Sequence, residues 1–162
     1  MKNIFKTSTF LVAVALSLGA SELAFAQEHA AASTVKMLNV GSDGRATVFE
    51  PEIVRVSPGA SADFIAEDFG HDAAAVDGLI PQGAEKFAGY KNADVSVKFD
   101  VEGVYVYQCT SHQAAGMIGL VIVGNPRANL DAILASYRSN PALSDRDKEK
   151  LQILLERVTA ES

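Results

Sequence analysis

Residues 103–123 read GVYVYQCTSHQAAGMIGLVIV. Two runs rich in Val, Ile and Tyr, Val104 to Gln108 and Gly119 to Val123, flank a short polar loop. Such residues suit a pleated, buried surface, and Gly103 punctuates the start of the first run. The same kind of run recurs upstream, each bounded by turn residues. Val35 to Leu38 precedes Gly41-Ser42-Asp43-Gly44, and Thr47 to Phe49 ends before Pro51. Ile53, Val54 and Val56 lead into Ser57-Pro58-Gly59, and Ala62 to Ala66 follows. Val95, Val97 and Phe99 alternate with polar residues, the pattern of a half-buried strand. Short strands at this spacing predict an all-β sandwich or barrel.

Downstream the periodicity changes. Asn129 stands where a helix cap belongs, before Leu130, Ile133, Leu134 and Tyr137 at helical spacing. Asn140-Pro141 breaks that run. Ser144 opens a second helix with Asp145 and Asp147 in its positive first turn and an apolar stripe of Leu151, Leu154, Leu155 and Val158. The two helices are expected to pack on the sandwich.

The other end of the chain has a different character. Lys2 and Lys6 precede a mostly apolar stretch from Phe10 to Ala20, and Ala24-Phe25-Ala26 is a small-x-small cleavage pattern. This reads as a secretory signal peptide spanning residues 1–26, with one domain from 27 to 162 whose helical extension covers 128–160. The apolar stretch falls short of the roughly 20 residues a bilayer span requires, so no membrane anchor is expected after cleavage. Removing that segment takes away two lysines and one glutamate, leaving a chain more acidic than the net −6 of the whole. An acidic chain without a basic stripe is not a nucleic-acid binder.

Export bears on the lone cysteine. Oxidising compartments favour paired thiols, yet Cys109 has no partner in the sequence. It is either buried and inert or protected by a metal. One cysteine excludes an internal disulfide, a multi-cysteine zinc site and an iron–sulfur cluster. The loop itself favours the metal. Cys109, His112 and Met117 form a C-x2-H-x4-M pattern that offers a thiolate, an imidazole and a thioether within nine residues. A mononuclear blue-copper centre takes a cysteine, two histidines and a weak axial methionine. The second histidine falls to His71, which follows Gly70 and begins an apolar run, because His29 lies in the small, polar segment before the first strand. Soft sulfur donors suit Cu(I), and imidazoles suit both copper oxidation states. That donor set predicts one-electron chemistry.

Over the region from Val35 onward the sequence resembles the pseudoazurins, a family of small blue-copper cupredoxins. The resemblance rests on Met37-Leu38-Asn39, Val48-Phe49-Glu50-Pro51, Gly70-His71, Ile80-Pro81-Gln82-Gly83-Ala84-Glu85, Gly103-Val104-Tyr105 and Pro126-Arg127-Ala128-Asn129-Leu130, in that order. It implies an eight-stranded Greek-key sandwich with two appended helices, a pair that plastocyanin-like and amicyanin-like relatives generally lack. It implies His71, Cys109 and His112 as equatorial copper ligands and Met117 as the long axial one. It further implies a soluble periplasmic carrier of single electrons, expected as a monomer. The carrier would serve a periplasmic redox protein such as a copper nitrite reductase, which docks near the exposed edge of His112. An enzyme of this fold needs a second copper centre with more histidines, and only His29 remains. The alternative is a copper-holding or copper-delivery protein with no redox partner.

Three departures from the family pattern stand out. Asp72 replaces an asparagine, Ser111 replaces a proline, and Val40, Phe69 and Gln108 occupy positions where lysine is common. The last departure predicts an apolar docking face, unless Lys86 or Lys91 restores a basic ring.

Overall fold

The structure is a computed structural model and describes residues 33–161. The signal-peptide segment and His29 lie outside these residues. Eight strands run in order: β1 (Ser33–Val40), β2 (Ala46–Glu50), β3 (Ile53–Val56), β4 (Ala60–Ile65), β5 (Ala74–Ala75), β6 (Val95–Phe99), β7 (Gly103–Gln108) and β8 (Ile118–Val123). They form two four-stranded mixed sheets, ordered β2-β1-β4-β6 and β3-β8-β7-β5. Helices α1 (Leu130–Ser136) and α2 (Asp145–Ala160) follow. This is the expected all-β sandwich with its C-terminal helix pair.

Every residue of β7 and β8 is buried, because their sheet is covered on both faces. Tyr105, Tyr107, Val121 and Val123 point into the layer between the sheets, among Val35, Met37, Phe49 and Phe64. The alternate residues Val104, Val106, Leu120 and Ile122 face outward onto Leu130, Ile133, Tyr137, Leu151, Leu154 and Leu155 of the helical segment. Burying each of these large aliphatic side chains contributes about 1.5–3 kcal/mol. An open sheet face would alternate with polar residues. The absence of alternation along β7 and β8 therefore records the second layer.

Two devices fix the helical layer. Ser144 caps α2 in a reciprocal capping box with Asp147. Asn129 sits at the cap position of α1, but its side chain makes no cap bond there. Its amide spans the gap to β7 instead, accepting from the Val104 N–H (2.7 Å) and donating to the Val104 carbonyl (2.9 Å).

Candidate metal centre

The two ends of the Cys109–Met117 loop are pinned where β7 and β8 run antiparallel. The Cys109 N–H donates to the Met117 carbonyl at 2.9 Å, and both residues are buried in the layer between the sheets. Tyr107, two residues before Cys109, packs edge-on to Phe49 and Phe64, with ring centroids 4.7 and 4.9 Å away. Within the loop, the His112 N–H donates to the Cys109 carbonyl (3.1 Å) and a single 3-10 turn spans Gln113–Ala115. This tight fold turns the half-buried His112 back over the cysteine. Its Nδ1 lies 3.3 Å from the Cys109 sulfur.

His71 reaches the same point from the other sheet connection. Its ring is fully buried, with Nδ1 3.9 Å from the sulfur and its centroid 4.7 Å from that of His112. Asn39 of β1 orients it. The Asn39 Oδ1 lies 3.0 Å from the ring Nε2, so that nitrogen carries the proton and Nδ1 keeps its lone pair facing the cysteine. The backbone is held as well: the Asn92 N–H donates to the His71 carbonyl (2.8 Å), and the Gly70 N–H donates to the Asn92 side chain (2.5 Å). Gly70 has φ +106°, a conformation that favours glycine, and an added Cβ would meet His112 Cε1 at 3.7 Å.

The ligand atoms of His71, Cys109 and His112 all lie within 4.8 Å of one another. A first-row metal ion bonds nitrogen and sulfur at about 2.0–2.3 Å, which spaces trigonal donors by about 3.5–4 Å. The cluster therefore fits one such ion, and its one sulfur and two nitrogens suit copper. Burial lowers the His71 pKa, and the neighbouring His112 pushes the same way, which keeps the imidazole neutral and able to ligate. Burial pushes the Cys109 thiol up. Bound metal deprotonates such a thiol outright. Two backbone N–H groups, of Asp72 and Ser111, are aimed at that sulfur and partly offset the burial.

The sequence expectations for the surroundings fare unevenly. Phe69 and Val40 are 85% and 60% exposed. Gln108 is buried, because β7 is covered on both faces, and so it forms no part of an exposed docking face. Lys86 is paired with Asp77 (2.7 Å). Lys91 is the one lysine among the charges acting on His71, against Asp68 and Asp72. Sequence reading passed over Asn39 as an orienting residue and Tyr90 as an exposed aromatic (86%), two residues from the Asn92 that tethers His71. No spacing rule ties Asn39 to a histidine 32 residues away.

Comparison with known proteins agrees with this geometry. Residues 35–124 match the copper binding proteins of the plastocyanin/azurin family. The pseudoazurin of Methylorubrum extorquens is 39% identical over 81% of this chain and 82% of that protein. That of Paracoccus pantotrophus is 37% identical over 76% of this chain and 85% of that protein. The crystal structure of pseudoazurin from Methylobacterium extorquens AM1 superimposes with a TM-score of 0.69 at 36% identity, covering 78% of this chain and 98% of that one. By sequence, by fold and by the donor set gathered at the end of the sandwich, the chain belongs to the copper-binding plastocyanin/azurin family, and within it to the pseudoazurins.

Proposed function

We propose that this protein is a periplasmic one-electron carrier, not an enzyme, whose copper is held by His71, Cys109 and His112 with Met117 as the weak axial ligand. When bound, copper supplies a one-electron couple, Cu(I)/Cu(II). The observation that carries the reading is the convergence of the Cys109 sulfur and two histidine Nδ1 atoms in a site tied down from several sides before any ion arrives. A rigid donor set of compromise geometry changes little with oxidation state, and little rearrangement means a low barrier to electron transfer. The chain's residues also set the route. Buried His71 and Cys109 shield the site, while half-buried His112 gives the surface a short path to it.

The docking surface proposed here is the one around His112. We assign docking of a periplasmic redox protein, such as a copper nitrite reductase, to the face bearing Phe69, Val40 and Tyr90. The leader-like pattern at the start of the sequence and a lone thiol that a bound metal would protect support the periplasmic assignment. Among the described residues no helix is long and apolar enough to cross a membrane.

A copper-holding protein without a redox partner would favour Cu(I), stay colourless and release metal readily. The test is reversible redox titration of the copper-loaded protein under visible light absorption. A carrier turns intensely blue when oxidised and cycles without loss of copper. A colourless protein that surrenders its copper would assign it to storage or delivery.

A further inference from the structure

The helical layer meets the copper loop at the start of α2, where one hydroxyl group is central to the contact. Ser144 Oγ, at the cap of α2, lies 2.6 Å from the carbonyl oxygen of Gln113, the residue after His112. The same oxygen lies 2.8 Å from Asp147 Oδ2 and receives the Asp147 N–H at 3.1 Å. The contact is not isolated. Gln113 Nε2 donates to the Ala142 carbonyl (3.4 Å), and the loop backbone lies flat against the first turn of α2. A Cβ on Gly116 would fall 3.0 Å from Arg146 Cγ and 3.2 Å from the Arg146 carbonyl oxygen.

A hydroxyl has one proton and two lone pairs. Ser144 therefore cannot donate to Gln113 and to Asp147 at once. Asp147 is fully buried, and its Oδ1 has no partner among the described residues. If its carboxyl is neutral, every bond of the Ser144 hydroxyl closes. Asp147 O–H and Asp147 N–H donate to Ser144 Oγ, and Ser144 donates to Gln113. If the carboxyl is ionised, it draws the serine proton to itself, and the Gln113 carbonyl keeps only the Gly116 N–H of its own loop (3.0 Å). Burial raises the Asp147 pKa, partly offset by the Ser144 hydroxyl and N–H. No charged group of α2, the copper loop or the sheets adds to that shift: the flanking Arg146 is exposed and paired with Glu149.

We propose that Ser144 is a positioning residue for the copper loop, holding it by the Gln113 carbonyl, and that the proton on Asp147 decides whether this bond is made. The proposal rests on the reading of His112 as a ligand only for its consequence at copper; the hydrogen-bond switch itself needs no metal. Loss of the bond as pH rises removes one of the two hydrogen bonds that tie Gln113 to the helical segment and leaves the Gln113–Ala142 bond.

The Ala114 amide nitrogen shares a peptide unit with the Gln113 carbonyl and reports on hydrogen bonding to it. Its chemical shift is followed against pH by NMR in the full mature chain without copper and again with diamagnetic Cu(I), alongside the Asp147 carboxyl carbon. In the wild type the Ala114 shift steps at the same midpoint as the Asp147 carboxyl. The step is lost in S144A, kept in S144T, which retains a hydroxyl, and lost in D147N, whose amide does not titrate. A step that persists in S144A or D147N, or a wild-type Ala114 shift that ignores the Asp147 titration in the copper-free chain, would overturn the proposal. The copper-free measurement separates this outcome from a failure of the ligand assignment, which is read from the colour of the loaded protein.

Discussion

Asp72 and Thr110 join the two ligand-bearing segments through a doubled hydrogen bond: the Thr110 N–H donates to Asp72 Oδ1 at 2.6 Å, and the Thr110 hydroxyl donates to Asp72 Oδ2. Asp72 follows His71, and Thr110 follows Cys109. With both oxygens acting as acceptors, the side chain has the pattern of a carboxylate. It places a negative charge, almost wholly buried, beside one proposed ligand, His71, and in contact with the residue after another, Cys109.

That charge favours Cu(II) over Cu(I). Asp72→Asn keeps a side chain able to bridge to Thr110 and removes the charge, so the reduction potential rises. Voltammetry of the two proteins checks this, and a lowered potential in the asparagine variant would refute it.

Ser111 acts in the opposite direction. Its N–H is aimed at the Cys109 sulfur, and such a donor withdraws electron density from the thiolate and favours Cu(I). Proline has no N–H. Ser111→Pro therefore lowers the potential, and an unchanged or higher value would show that this N–H does not tune the site.

Asn39 fixes the tautomer and the ring plane of His71 through a single contact. Partners of this kind cost about 10–100-fold in metal affinity when removed. Asn39→Ala is expected to weaken copper binding by that factor while leaving thermal unfolding of the copper-free chain nearly unchanged. Competition with a chelator gives the affinity, and wild-type affinity in the variant would deny Asn39 its orienting role.

The docking face predicts a weak response to salt. Exposed charges are screened over about 10 Å at 0.1 M ionic strength, so a reaction steered by a basic ring slows steeply as salt is added. Here Phe69, Tyr90 and Val40 are exposed, and the charges acting on His71 comprise Lys91 against Asp68 and Asp72. The electron-transfer rate to a copper nitrite reductase should stay nearly flat from low to high ionic strength. Phe69→Lys combined with Tyr90→Lys should introduce a salt dependence. A steep fall in the wild type would mean that a basic ring steers the encounter after all.

The residues that make strands and those that make the C-x2-H-x4-M loop were legible because each carries a local signal, either alternation and turn residues or fixed ligand spacing. Seven of the eight strands coincide with runs of β-forming residues. The exception is β5, two alanines that have no strand preference and pair only because β7 offers an edge. Gln108 misled for a related reason. A polar residue at a strand end reads as exposed, and only the packing of helices on the outer face reveals that β7 is interior. Asn129 reads as a cap because capping is local, whereas its bonds to Val104 are tertiary. The orientation of His71 by Asn39 and the clamp of Ser144 on Gln113 depend on contacts between distant segments, and these leave no periodic trace.

The central claim is that Cys109 binds copper as a thiolate in a trigonal set with His71 and His112. It is tested most directly by the visible spectrum of the copper-loaded wild type beside Cys109→Ser and Met117→Leu. Charge transfer from the cysteine sulfur to Cu(II) produces the blue colour. The wild type is therefore predicted to show an intense blue band, Cys109→Ser none, and Met117→Leu a retained copper site with an altered potential. An intense blue band surviving in Cys109→Ser would contradict the account.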